Sequence, residues 1–385
     1  MEHLKILFIT IVYPTKKQPV DGVFVQAHAK AVQLYDDVVV LHCAGADPNL
    51  RQLWRMQQER DESLTEGIPT YRVWYRSFPI PKITYFIYIW AVFQAFRRIV
   101  SQGFRPHIIH AHFYEAGVPA VLIRKVYRIP VIVTAHFTKF PRKLLRRLDV
   151  WKARLAFNKA NIVLPVSKSL QKAIEKYNIK ARFLVLPNVV DTYLFHPNFF
   201  SQFKNRIKRL LFVGLLDVSH KKGMPYFLNA LAQLRQYRDD WHLDVVGDGP
   251  ARAEYEGMVA DLGLTDMVTF HGLKSKQEVA EFMRQADLFV LPSLFETFAV
   301  VAAEALATGT PVLATRCGGP EEFITDVVGM LVPPGDDKAL CKELNHMLST
   351  LHLYSCHKIS QYTRELFSPE IVGAKLHNVY QSLKL

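Results

Sequence analysis

Cysteine is scarce in this sequence: Cys43, Cys317, Cys341 and Cys356 are the four among 385 residues, and no two share a paired spacing. That scatter argues against a disulfide framework or a structural zinc site and suits a reducing cytoplasm. Long apolar runs are also lacking. The longest candidate, 83–96, is broken by Thr84 and Gln94 and falls short of the roughly 20 residues that a membrane-spanning helix requires. The first 13 residues carry one lysine before an apolar run that Pro14 stops. A secretory signal wants a more basic start and a small-residue cleavage site, so 5–12 reads as a first buried strand. No short-period repeat or low-complexity tract is present. Acidic residues are in deficit, 35 against 48 lysines and arginines, which leaves a formal charge of +13 and implies an anionic partner: nucleic acid, anionic lipid or a phosphorylated substrate.

What is present is ordinary globular composition, half hydrophobic and 22% charged, in a chain longer than one core usually serves. Short β-branched runs at 5–12, 38–42, 108–112, 131–136 and 162–165 alternate with helix-length segments such as 25–34 and 118–127. This is the pattern of a parallel sheet with helices on both faces. It pauses at a proline-bearing stretch, 186–197, and a polar one, 201–209, then restarts with strands at 210–213, 241–246, 268–271, 288–291 and 310–314. The expected architecture is α/β: two tandem doubly wound, Rossmann-like lobes, 1–197 and 198–366, facing a deep cleft. An amphipathic C-terminal helix within 367–385 is expected to pack back on the first lobe. In such sheets ligands bind beyond the carboxyl ends of the strands.

The most informative stretch is 291–319, LPSLFETFAVVAAEALATGTPVLATRCGG. A strand, a loop at 292–297 and a helix over 298–307 are expected. Glu296 sits before the helix and Glu304 eight residues later, close to the same helical face. A helix N-terminus suits a diphosphate. A carboxylate ahead of it can grip a sugar hydroxyl, and one two turns on can accept from ribose hydroxyls. For two isolated glutamates, helix capping is the better explanation. The alanines at 302, 303, 305 and 307 leave a slim helix beside a strand-end loop, which favours the ligand reading.

Glu296, Glu304, the Gly-Thr-Pro-Val strand from Gly309, and Gly318, Gly319 and Glu322 together resemble the signature of family 4 (group 1) retaining glycosyltransferases, which have the GT-B fold. The resemblance implies that Glu296 contacts the sugar of a nucleotide-diphosphate donor and that Glu304 contacts its ribose, with the backbone at Phe298, Ala299 and Val300 near the diphosphate. Ala299 stands where the family often has glycine, and its methyl is expected to crowd the sugar and narrow the choice of donor.

At 211–223, LFVGLLDVSHKKG, a strand meets Gly214 and a basic pair precedes Gly223. Backbone N–H groups and a cation are what phosphates need, though a plain strand-to-helix turn with solvated lysines looks the same. Lys222-Gly223 matches the family's Lys-Gly pair. Leu215 departs from its arginine, leaving Asp217, His220 and Lys221 to reshape the loop. The 245–250 stretch, VVGDGP, lacks the third glycine of a dinucleotide fingerprint and reads as a tight turn.

In the first lobe His110 and His112 close one strand and His136 another. Each alone reads as a structural histidine, but two such strand ends favour a site. No acidic or cysteine partner has metal-ligand spacing, so no metal is expected. The resemblance, matched by Thr134-x-His136, places His136 near the reacting sugar and acceptor. It makes Gly22 the position where the backbone approaches the donor phosphates, and Pro187-Asn188 opens a junction that departs from the family at Val189.

The positive charge is concentrated. The 137–160 segment carries eight basic residues against Asp149 alone, with Leu144, Leu148, Trp151 and Leu155 at helical spacing. The aromatic-rich 83–96 is flanked by Lys82, Arg97 and Arg98. Two readings stay open: a surface, 82–98 with 139–159, that touches anionic lipid, or a helix that packs its apolar stripe on the body and solvates its charges. With no nucleic-acid-binding motif, the expected partners are a nucleotide-sugar donor and a sugar or lipid-linked acceptor. The expected location is cytoplasmic, peripheral on the inner face of the plasma membrane. The function implied is a retaining hexosyltransferase acting without cofactor or metal on a polysaccharide or glycolipid precursor. Its rivals are a same-fold epimerase or phosphorylase, a nonenzymatic nucleotide-sugar or lipid-binding module and, more distantly, a dehydrogenase.

Overall fold

A computed structural model describes residues 3–198 and 207–384, so most of the connection expected at 201–209 lies outside the described residues. The chain divides into two compact units, Met1–Val189 with Pro369–Leu385, and Val190–Ser368. The boundary thus falls at Val189/Val190 rather than at 197/198. The Val190 N–H donates to the Phe367 carbonyl at 2.9 Å, so the 190–197 stretch opens the second unit.

The first unit holds β1 (Lys5–Thr10), α1 (Val23–Gln33), β2 (Asp37–Asp47), β3 (Trp54–Gln58), α2 (Glu62–Thr65), β4 (Thr70–Arg76), α3 (Pro81–Ser101), β5 (Ile108–His112), α4 (Phe113–Tyr127), β6 (Val131–Ala135), α5 (Arg147–Lys159), β7 (Ile162–Pro165) and α6 (Lys168–Glu175). Its sheet runs β3-β4-β2-β1-β5-β6-β7. All pairs are parallel except the edge pair β3 and β4, two strands that were not anticipated. Strands β5, β6 and β7 are buried along their whole length, which is why they read as continuous apolar runs and not as alternation. Helix α3 is 21 residues, longer than its apolar stretch in sequence, and is apolar enough by composition to cross a membrane. It buries Ile87, Ala91, Val92, Ala95 and Ile99 along one face and belongs to the unit's own packing.

The second unit holds β8 (Lys208–Val213), α7 (Met224–Leu234), β9 (Trp241–Val246), α8 (Arg252–Asp261), β10 (Val268–Gly272), α9 (Lys276–Gln285), β11 (Leu288–Leu291), α10 (Val300–Ala307), β12 (Val312–Thr315), β13 (Gly329–Val332), α11 (Asp337–Thr350) and α12 (Cys356–Phe367). Its sheet is parallel throughout, in the order β10-β9-β8-β11-β12-β13. Helix α13 (Pro369–Gln381) returns to the first unit and lies on α1. Gly373 permits that contact, because a Cβ there would strike the Ala31 carbonyl. His377 Nδ1 reaches Asp36 Oδ2 at 2.9 Å.

Each sheet reverses its strand order beside its first strand, β1/β5 in the first unit and β8/β11 in the second. Those switch points are where a doubly wound sheet opens a crevice at its carboxyl edge. The loop bearing Gly22 follows β1, and His112 ends β5. The loop of Gly214 and Lys222 follows β8, and that of Glu296 follows β11.

Candidate active site

In the second unit three loops converge. Backbone bonds tie the β11–α10 loop to the β8–α7 loop (Leu294 N–H to Lys221 carbonyl, 2.8 Å). Others tie it to the turn after β12 (Glu296 N–H to Cys317 carbonyl and Gly319 N–H to Glu296 carbonyl, each 3.0 Å). Glycines make the approach possible: a Cβ on Gly223 would collide with the Pro292 carbonyl, and one on Gly319 with the backbone of Thr297 and Phe298. Gly247 and Gly249 do the same against Gly214 and Leu216, which explains the 245–250 turn.

At the convergence Lys222 Nζ meets Glu296 Oε1 at 2.6 Å, and the Ser293 hydroxyl donates to the same oxygen at 2.9 Å. The two charged side chains retain 23% and 11% exposure. Burial pulls the Lys222 ammonium down, but the Glu296 carboxylate outweighs it and holds the pKa above the usual lysine range. Lys221 is drawn to Asp217 at 3.4 Å, and Leu215 lies exposed.

The helix expected from Phe298 begins at Val300, and Glu296 sits in an extended bridge to Gly318. Helical spacing therefore does not set its position relative to Glu304; the strand-end loop does. Ala299 adopts φ 71° as the N-cap, the left-handed region that favours glycine. Among the described residues the N–H groups of Phe298, Ala299, Val300 and Val301 donate to no acceptor, which leaves an open, positively polarised helix start. The Phe298 ring is buried against Phe323 and Phe367, so this residue offers its backbone only. Glu304 is half-buried with no side-chain hydrogen bond among the described residues. Burial pushes its carboxyl up to about 7, with Lys276 opposing and Asp191 adding to the rise.

In the first unit His112 Nδ1 lies 3.1 Å from His136 Nε2, with the rings stacked. Among the described residues the outer nitrogens, His112 Nε2 and His136 Nδ1, have no hydrogen-bond partner. Burial drives both pKa values well below the usual histidine range, and neighbouring imidazoles add to it, so both rings are neutral. His110 is structural, bonded at 2.6 Å to both the Tyr380 hydroxyl and Thr134 Oγ1.

His28, on α1, completes a trio whose nitrogens lie within 4.8 Å of one another. Neutral imidazoles are zinc ligands, but bonds of about 2.1 Å in a tetrahedron hold the nitrogens near 3.4 Å apart. As they stand, His112 and His136 form a hydrogen-bonded pair, while His28 turns its Nδ1 and Nε2 to the Phe24 and Pro187 carbonyls. Gly22, at φ 71°, caps α1, and a Cβ there would sit 2.6 Å from the Val12 carbonyl and the Tyr13 nitrogen, so its first duty is to let two backbones meet.

Sequence reasoning did not single out Ser293, His28, Phe113 or Glu115. Phe113 takes φ 72° immediately after His112, a strained setting for an aromatic residue. Glu115 Oε2 is buried with no hydrogen bond among the described residues, and burial raises that carboxyl to about 7. Ser293 and Glu115 each follow a strand end within a few residues, which was the available signal.

Two doubly wound α/β sheets, parallel but for the edge strand β3, with polar clusters at their switch points define a GT-B protein. Solved chains agree: sucrose-phosphate synthase of Thermosynechococcus elongatus superimposes with TM-score 0.76 at 22% identity, covering 99% of both chains. Anabaena HepE in complex with UDP and glucose superimposes with TM-score 0.78 at 20% identity, covering 99% of this chain and 100% of that one. Residues 22–194 match the Glycosyltransferase Family 4 model and 207–350 the Glycosyl transferases group 1 model. A putative teichuronic acid biosynthesis glycosyltransferase of Bacillus subtilis is 30% identical over 89% of this chain and 88% of its own. A putative colanic acid biosynthesis glycosyltransferase of Escherichia coli is 26% identical over 74% and 72%. The chain belongs to the group 1, family 4 glycosyltransferases and is an enzyme of the hexosyltransferase type.

Proposed function

We propose that this enzyme moves a hexosyl group, with retention, from a nucleotide-diphosphate sugar to a hydroxyl of a lipid-linked precursor of a cell-surface polysaccharide or glycolipid. It would work at the cytoplasmic face of the membrane, and the polysaccharide-related names of its relatives support that class of product. The observation that carries the donor side is the Lys222–Glu296–Ser293 cluster beside the open start of α10. Without ligand the ammonium and the carboxylate satisfy each other. A donor separates them: Lys222 and the N–H groups of Phe298–Val300 turn to the diphosphate, and Glu296 accepts from a sugar hydroxyl. Glu304 accepts from the ribose.

As the bond from C1 to the diphosphate breaks, charge grows on the leaving oxygens and these donors stabilise it. The acceptor oxygen bonds C1 on the same face, and its proton passes to a leaving phosphate oxygen, so no protein nucleophile is consumed. His136, bonded to His112, orients the acceptor hydroxyl. Gly214 keeps backbone close to the donor without a Cβ in the way. Lys222 and the helix start supply the charge a metal would otherwise bring, so activity is expected to survive EDTA.

The test is turnover of a nucleotide-sugar library followed by analysis of the product's anomeric configuration. A retained product with release of nucleoside diphosphate is expected. An inverted product, or sugar release only to water, would overturn the reading.

A further inference from the structure

We propose that one face of the first unit docks on an anionic bilayer, and that a lysine-lined pocket within it takes a phosphate of a lipid headgroup. The inference deepens the lipid-linked reading above and rests on it for its biological sense, though its observations are separate.

Helix α5 buries small residues and one ring against α4, Ala153, Ala156 and Phe157, while Leu148 and Trp151 each remain 56% exposed. A helix that only packed on the body would turn its largest apolar groups inward. Leu144 just ahead of it is exposed as well, and at the start of α3 so are Ile80, Ile83 and Phe86, the last at 69%. The pieces are joined: Lys152 Nζ lies 4.1 Å from the Tyr85 ring centre, linking α5 to α3. Arg154 Nε donates at 2.8 Å to the Tyr177 carbonyl beyond the end of α6.

Beside this apolar group lies a cavity of about 620 Å³ whose lining includes Lys143, Lys172, Lys176, Ser169, Phe140 and Tyr177, and no carboxylate. None of the three lysines has an ion pair among the described residues. Three ammonium groups round one apolar-walled hollow repel one another until an anion arrives. Lys139, Arg146 and Arg147 extend the charge along the same segment. Exposed leucine, tryptophan and phenylalanine set among lysine and arginine match the two layers of a membrane surface, acyl boundary and phosphate. A nucleic acid would leave those apolar side chains in water.

The experiment is co-sedimentation of the full chain with phosphatidylcholine vesicles, with and without phosphatidylglycerol. Strong binding is expected only when phosphatidylglycerol is present. Lys143→Gln, Lys172→Gln and Lys176→Gln combined should weaken it on the order of 100-fold, since each lost charge is worth about fivefold. Leu148→Ser with Trp151→Ser should weaken it too, and should make the remainder more sensitive to salt. Both variants should keep the wild-type melting temperature and nucleotide-sugar thermal shift, a readout from the second unit that tests the donor reading separately. Equal binding to neutral vesicles, unchanged binding by the lysine variant, glycerol phosphate competing as well as vesicles do, or tighter binding to RNA or DNA would each overturn the proposal.

Discussion

The two units meet the same architectural problem, a polar cluster at a switch point, with opposite electrostatics. In the second unit the cluster is charged: Lys222 and Glu296 face each other at 2.6 Å. In the first it is uncharged: burial lowers the pKa values of His112 and His136 well below the usual histidine value. The comparison teaches a division of labour. On the proposed function, developing negative charge on a leaving diphosphate would need fixed cations and N–H donors, whereas an acceptor hydroxyl would need only orientation.

The largest expected break is Glu296→Ala. Losing the proposed sugar contact and releasing Lys222 should lower kcat by about 10²–10³-fold, read with saturating donor, while circular dichroism stays native. Near-normal turnover would remove Glu296 from the site. Lys222→Ala should cost about as much. In a double-mutant cycle the pair should be strongly non-additive, because each single change strands the other charge; additive losses would mean the two groups act apart.

His136→Ala should lower kcat less, about 10–10²-fold, in the range of a positioning contact. The sharper test is the pH profile. A neutral imidazole with a depressed pKa contributes no inflection near the ordinary histidine value. A wild-type inflection near 6.5 that vanishes in His136→Ala would contradict the neutral stack.

The donor side should titrate instead. Burial holds Glu304 at about 7, and on the proposed function ribose hydroxyls would donate to its ionised form. Donor binding then lowers that pKa and releases a proton. Affinity should rise several-fold from about pH 6 to 8 and level off above the free-state value. Glu304→Gln should flatten the curve, and calorimetry in buffers of different ionisation heat would detect the proton. A pH-independent Kd in the wild type would place the ribose elsewhere.

Much of this was legible because parallel strands announce themselves. Strands β5, β7, β9 and β11 fall on the residues their β-branched runs mark, and strand ends then locate the loops. The edge pair β3 and β4 was not, because Trp54–Gln58 is half polar and owes its extension to a partner strand rather than to its own pattern. The polar contacts were legible as residue types and not as partners. Lys222 and Glu296 are 74 residues apart, and nothing local says that one answers the other. His28 was hidden for the same reason, reaching the strand-end histidines from a helix face. The apolar stripe of α5 shows the reverse failure: spacing revealed Leu148 and Trp151, but only burial tells which way they face.

The smallest effect belongs to Ala299, and it separates strain from selectivity. An alanine at φ 71° and ψ 64° sits in a region that costs an L-residue about 1–2 kcal/mol. Glycine would remove that cost while adding about 0.4–1 kcal/mol of unfolded-state entropy. Ala299→Gly should therefore stabilise the second unit by about 0.5 kcal/mol, a rise in Tm of about 1–2 °C. Ala299 is 5% exposed, so the variant's range of accepted donors should change little. A broadened donor range with no gain in Tm would reverse the assignment and make Ala299 a selectivity residue that faces the sugar.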